Sequence, residues 1–120
     1  MPYAAITYRI KPGHDDEIAD IFAGFRRVDT PVLRDESGAE AGKLLGTAVF
    51  MTEGMLVRVI HYEGDLRLVG RHMATQRGVH ELEGKLAPYL AEQRDTSTPE
   101  SFAAHFRDAT MRCISQISAG

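Results

Sequence analysis

Two runs of β-forming residues, KLLGTAVFM at 43–51 and MLVRVIHYE at 55–63, are separated by only Thr52-Glu53-Gly54. So short a gap, with a glycine free to take a positive φ, predicts a hairpin of two antiparallel strands. The hairpin is the strongest constraint on the chain, because every other element has to be arranged around it. Before it, YAAITYRI at 3–10 reads as a strand ended by Pro12-Gly13. HDDEIADIFAGFRR follows, with acidic residues at its start and Ile18, Ile21, Phe22 and Phe25 spaced as one face of a helix. VDTPVLRDESGAEAG at 28–42 carries a proline, acidic residues and two glycines, and is expected to be a long loop.

After the hairpin, Asp65 is placed to cap a second helix that runs from about Leu66, bends near Gly78 or Gly84 and breaks at Pro88. QRDTSTPE is a polar connector. Thr98-Pro99-Glu100 starts a short third helix, SFAAHFRD, and MRCISQIS reads as a closing strand. The order β-α-β-β-α-(α)-β is the split βαβ pattern of a ferredoxin-like α+β domain, an antiparallel sheet with helices on one face. The adjacent pairs Ala5-Ile6, Ala48-Val49 and Val59-Ile60 place apolar side chains on both faces of their strands. Both faces therefore need cover, and two copies packed sheet to sheet would supply it. The expectation is a homodimeric α+β barrel formed by a single domain spanning residues 1–120.

The bulk properties narrow the function by exclusion. The chain has 120 residues, a formal charge of −3 and dispersed Lys and Arg, so it has no electrostatic footprint for nucleic acid. It has no apolar run of the ~20 residues that span a bilayer and no basic-then-apolar leader. A cytoplasmic location with no membrane partner is the expectation. Cys113 is the one cysteine, which excludes an intrachain disulfide and CxxC metal sites. No metal and no cofactor is expected from any motif. The sequence also has no Trp and no Asn, which removes mechanisms that depend on either.

Three stretches carry candidate chemistry. On a wheel at about 100° per residue, His72, Gln76 and His80 share an arc of about 140° with Val69, Met73, Val79 and Leu86. Either they are half-exposed edge residues, or this face roofs a cavity over the sheet with His and Gln as its polar groups. Two histidines eight apart lie about 12 Å apart along a helix, too far for a metal pair, whereas acid–base work suits a side chain titrating near ~6.5. In RVIHYEGD, Arg58 and Tyr62 point to one face and His61 and Glu63 to the other. Arg58 among apolar neighbours asks for an anionic partner or a salt bridge, and with Tyr62 it would stabilise a phenolate or enolate oxygen. In FRRVDTP, Arg26 and Arg27 suit a helix C-terminus, and Asp29 and Thr30 are placed to form a pocket mouth. His14 flanks the first helix, His105 reads as packing beside Phe102 and Phe106, and Cys113 reads as a small core residue.

MPYAAITYRIKPGH, IFAGFRRVDTPVLRDESGAEAG, LVRVIHYEGD, RHMATQRGVH and FRDATMRCISQIS together resemble the SchA/CurD-like family of streptomycete aromatic polyketide clusters. Those clusters make spore pigments and related pentangular polyphenols from type II polyketide synthases. The resemblance implies a small tailoring protein, acting late in ring closure on an aromatic polyketide intermediate, beside other polyketide synthase tailoring enzymes. It provides no residue motif to transfer, so the site rests on the residues themselves. The leading expectation is a cofactor-independent polyketide cyclase working by aldol or Claisen-type condensation and dehydration. His72 and His80 would serve as base and acid, and Arg58 and Arg71 as anion stabilisers. Tyr62, Gln76, Met73, His61, Arg26 and Phe22 would contact the substrate. The alternatives are a cofactor-independent, quinone-forming monooxygenase on a phenolic polyketide, and a non-catalytic polyketide-binding or assembly subunit.

Overall fold

The computed structural model describes residues 2–24, 31–92 and 98–117. Four of its elements form the ferredoxin-like frame of the sheet: β1 (Tyr3–Arg9), β3 (Glu40–Thr52), β4 (Met55–Glu63) and β5 (Thr110–Met111). A further short strand, β2 (Val32–Arg34), lies on the β3 edge, so the sheet order is β2-β3-β4-β1-β5. All neighbours are antiparallel. The helices are α1 (Asp15–Ala23), α2 (Leu66–Thr75), α3 (Arg77–Leu86) and α4 (Pro99–Ala109), with a 3-10 turn at Ala87–Tyr89 after α3.

The expected hairpin is present. Thr52 pairs with Met55, and Gly54 turns the chain at φ 76°. Along β4 the buried residues are Leu56, Arg58, Ile60 and Tyr62, alternating with half-buried Val57, Val59 and His61. The buried set faces the helices. Its neighbours on β1 are Tyr8, Ile6 and Ala4, all buried, because directly opposed residues of an antiparallel pair share a face. From the helices, Ile18, Val69, Met73, Val79, Leu82, Leu86, Phe102 and Phe106 complete one core. The other face of the sheet carries Ala5, Val57 and Val59 with Tyr3, Phe50 and Met111, of which Phe50 is 62% exposed.

Three expectations are corrected. Within the segment expected to be a loop at 28–42, residues 32–34 instead form β2 and residues 40–42 begin β3, while residues 28–30 lie outside the described residues. Asp35 makes this possible: its Oδ1 accepts hydrogen bonds from the Ser37 and Ala39 amides at 2.9 and 3.1 Å, tying a tight turn with Gly38 at φ 85°. The closing strand expected over MRCISQIS is only Thr110–Met111, and residues 112–117 run on exposed, with Ile114 at 85%.

The third correction concerns the long helix. It breaks at Gln76, whose ψ of 124° is extended, and Gly78 and Gly84 lie inside α3. The buried residues explain the position. On one continuous helix, Val69, Gly70, Met73 and Ala74 would face one way, while Val79, Leu82, Glu83 and Leu86 would face about 160° away. Only a change of direction between the two sets lets both reach the same core. Thr75 helps to end α2 by turning its hydroxyl back to the His72 carbonyl at 2.8 Å.

Candidate active site

A cleft with a cavity volume of about 650 Å³ opens between α2 and α4, where β1 begins and β4 ends. Local sequence determines how these helices approach. Asp65 accepts a hydrogen bond from the Arg67 amide at 2.8 Å and so caps α2, as its sequence position predicts. Thr98 and Ser101 cap α4 reciprocally, with Pro99 in its first turn. Gly70 allows the helices to close on each other. A Cβ at that position would stand 2.8 Å from Cδ1 of Phe106, whose ring is buried. The start of α2 is also held against the sheet by two glycines. Gly64 at φ 107° and Gly42 at φ 151° pass so closely that a Cβ on Gly64 would be 2.5 Å from the Ala41 carbonyl oxygen.

The cleft wall is apolar along Leu66, Gly70, Ala103, Ala104 and Phe106. Tyr62 lines it from β4 and is 7% exposed. Burial, followed by the nearby Asp65 and Cys113, raises the pKa of its phenol above the usual 10.0. The group is therefore a neutral hydrogen-bond donor throughout the physiological range, suited to an oxygen on which negative charge develops. Around the opening lie Arg67, Arg71, Arg107 and Arg112, with Glu100 as the carboxylate. The Nη1 of Arg71 is 4.0 Å from Oε1 of Glu36, an exposed pair.

The sequence-predicted site residues separate into several places. Tyr62 and Arg71 line the cleft. Arg58 lies on the same face of β4 as Tyr62, 2% exposed among the core side chains. Met73 is a core residue at 1% exposure, and Phe22 of α1 packs against that core half-buried. His61 is on the opposite face of the sheet, stacked on Tyr3 with ring centroids 4.4 Å apart, and is not among the residues that line the cleft. Arg26, like Arg27, Asp29 and Thr30, lies outside the described residues.

The histidines no longer share a helix. His72 is half-buried on α2, about 100° further round the helix than Arg71 and away from the cleft wall formed by Gly70. Gln76 forms the joint between α2 and α3. His80 is on α3, where its Nε2 meets the Ala74 carbonyl left without a helical partner by the break, while its ring lies 5.7 Å from that of Phe102. The break that sends both buried stripes into the core is therefore what removes the shared arc.

Sequence reasoning missed three features. The Tyr8 hydroxyl donates to Oε1 of Glu83 at 3.3 Å inside the core, where Glu83 is 4% exposed. The signal was available: Tyr8 continues the Ala4, Ile6 alternation, and Glu83 adjoins Leu82 on α3. Arg67, Arg107 and Arg112 were overlooked because they are far apart in sequence. Cys113, expected in the core, is exposed and lines the cleft. A second hollow of about 510 Å³ is lined by Pro12, Gly13, Asp15, Asp16, Glu17 and Glu53. Among the described residues no three His, Cys, Asp or Glu side chains cluster as a metal site.

Residues 1–119 match the model of the SchA/CurD like domain. The chain belongs to the SchA/CurD-like family. Among relatives of this SchA/CurD-like chain, the polyketide synthase CurD of Streptomyces cyaneus is 34% identical over 97% of the chain, which spans 30% of that relative. The 42.8 kDa protein in the whiE locus of Streptomyces coelicolor is 34% identical over 92% of the chain and 26% of its own length. Protein SchA of Streptomyces halstedii is 28% identical over 97% of the chain and 29% of its own length. The chain thus spans less than a third of these relatives. Among solved structures, tetracenomycin F2 cyclase from Streptomyces glaucescens, a type-II polyketide cyclase, superposes with a TM-score of 0.62 over all of both chains at 13% identity. That likeness is one of fold.

Proposed function

We propose that this SchA/CurD-like chain is a cofactor-independent polyketide cyclase that closes a late ring of an aromatic, pentangular-type polyketide. The observation that carries the reading is the α2–α4 cleft. It combines an apolar slot, a buried neutral phenol and a cationic rim in a fold that also serves a type-II polyketide cyclase. Ring closure requires removal of a proton α to carbonyls, stabilisation of the enolate oxygen, carbon–carbon bond formation and loss of water. Tyr62 donates a hydrogen bond to the enolate oxygen, and Arg71 adds positive charge beside it. Glu100, the carboxylate lining the cleft, takes the proton directly or through one water. Holding the tail and its acceptor carbonyl together in one slot supplies the orientation. His72 and His80 do not line the cleft, and this scheme uses neither: His72 lies round α2 from the Gly70 wall, and His80 lies beyond the break on α3.

The same reading includes a second copy of the chain. The outer sheet face around Phe50, which is 62% exposed and away from the cleft lining, is the surface it covers.

The test is incubation of the purified protein with the pathway intermediate, with and without oxygen, read by product mass. Loss of water at equal rate under both conditions is the expected result. Gain of oxygen atoms, in air alone, would instead establish a quinone-forming monooxygenase. Tight binding with no conversion would establish a carrier role.

A further inference from the structure

The opening of the α2–α4 cleft carries more positive charge than a neutral aromatic needs. Its lining has four arginines and one carboxylate, Glu100; Arg67 is held by Asp65 at 3.0 Å and Arg71 lies 4.0 Å from Glu36, which leaves Arg107 and Arg112 as the cations open to a ligand. The charges are also arranged along α4. Glu100 is in the first turn and Arg107 in the last, about 10 Å apart along the axis, and Arg112 follows just beyond β5. Arg107 has Asp108 3.7 Å away, but both side chains are more than 70% exposed, and such surface pairs exchange readily for a better partner. Arg112 is exposed and makes no ion pair among the described residues. Below this rim the wall turns apolar at Ala103, Ala104 and Phe106 and ends at the buried Tyr62. A cavity of about 650 Å³ is the size that encloses a ligand of a few fused rings.

We infer that the ligand of this cleft is a planar aromatic carboxylate. Its rings lie in the slot and its carboxylate rests on Arg107 and Arg112, at the end of α4 away from Glu100. Planar guanidinium groups match a carboxylate edge, and like-charge repulsion from Glu100 sets which way round the ligand enters. The inference rests on the cleft being the ligand site, and it adds an acid group, with a fixed orientation, to the substrate class.

The experiment measures binding rather than turnover, so its outcome is separate from that of the cyclase assay. 3-Hydroxy-2-naphthoate, 2-naphthol and 2-naphthyl phosphate are titrated into the wild-type protein and into Arg107→Gln/Arg112→Gln. A third protein, Ala104→Trp, fills the slot. Circular dichroism checks that each variant is folded. The naphthoate is expected to bind at least about tenfold more tightly than naphthol at low salt, a margin of about 1.4 kcal/mol. Added salt should narrow that margin, and Arg107→Gln/Arg112→Gln should abolish it without weakening naphthol. Ala104→Trp should weaken both. Equal binding of naphthoate and naphthol overturns the inference, as does a margin that survives loss of both arginines. Tighter binding of the phosphate than of the naphthoate overturns the carboxylate assignment.

Discussion

In the proposed mechanism Tyr62 is the donor to the enolate oxygen, and its protonation can be measured directly. Burial raises its pKa, so the folded chain holds that proton more firmly than the unfolded chain does. As pH climbs through the ordinary phenol value of 10.0, the unfolded tyrosine ionises first, and stability falls until the folded phenol ionises as well. Difference absorbance between wild type and Tyr62→Phe should therefore show one tyrosinate appearing at higher pH than a free tyrosine. In the cyclase assay Tyr62→Phe should keep the fold and slow ring closure by roughly a hundredfold, the scale for losing one oxyanion donor. An unchanged rate would remove Tyr62 from the mechanism. Gly70 makes a second prediction at this scale. Valine there would collide with the Phe106 ring, and overpacking of this kind costs about 1–3 kcal/mol. Denaturant unfolding of Gly70→Val should show the loss, and Gly70→Ser a smaller one.

Among the elements, α2 is the one whose position matters most, since it supplies a wall of the cleft. Its first turn depends on Asp65, whose carboxyl is held below its usual 3.8 by hydrogen bonds from the Arg67 side chain and amide. A carboxyl with a lowered folded pKa adds stability above its unfolded value, and that stability is lost as pH falls through the folded one. The melting temperature of wild type should therefore fall more than that of Asp65→Asn as pH is lowered from about 5 to 3. Parallel curves would show that the cap contributes nothing through its charge. Much of this element was legible in the sequence, because a cap and a helix start are local patterns. So were the Gly54 hairpin and the Thr98-Pro99 start of α4. The break at Gln76 was not legible. A wheel drawn through Val69, Met73, Val79 and Leu86 is self-consistent, and it omits Gly70, Ala74 and Leu82, whose burial depends on what the helix packs against. Pro31, Ser37 and two glycines hid β2 for a similar reason. Three strand residues become a strand only when a neighbour's edge is available, and sequence does not show which edges are free.

At the scale of the whole molecule, the sheet divides the chain into a core side and an outer side. The fold class follows from the order of periodicities, and the apolar character of both strand faces was visible in pairs such as Val59-Ile60. The cleft was not visible, because its arginines come from α2, α4 and the segment after β5, which only the folded chain brings together. The outer face supports a prediction about assembly. If a second copy covers it, Phe50→Glu puts a charge into the middle of the contact, where leaving it unpaired is costly. Light scattering after size exclusion should find wild type at twice the chain mass of 13.3 kDa and Phe50→Glu at the single mass. A monomeric wild type would sink the paired arrangement.

The contact between Gly70 and Phe106 also bears on how such a chain diversifies. Slot width is set in the wall itself, by how closely two helices approach, at a position with no side chain to bond a ligand. A glycine there is a gauge block: with the ring of Phe106 seated against it, the helices stand as close as they can. Any larger side chain must move the ring, and the slot would change its aperture while Tyr62 and the arginines stayed the same. On the proposed function, the number of fused rings admitted would then be altered by one substitution at position 70, with the proposed donors and base left in place.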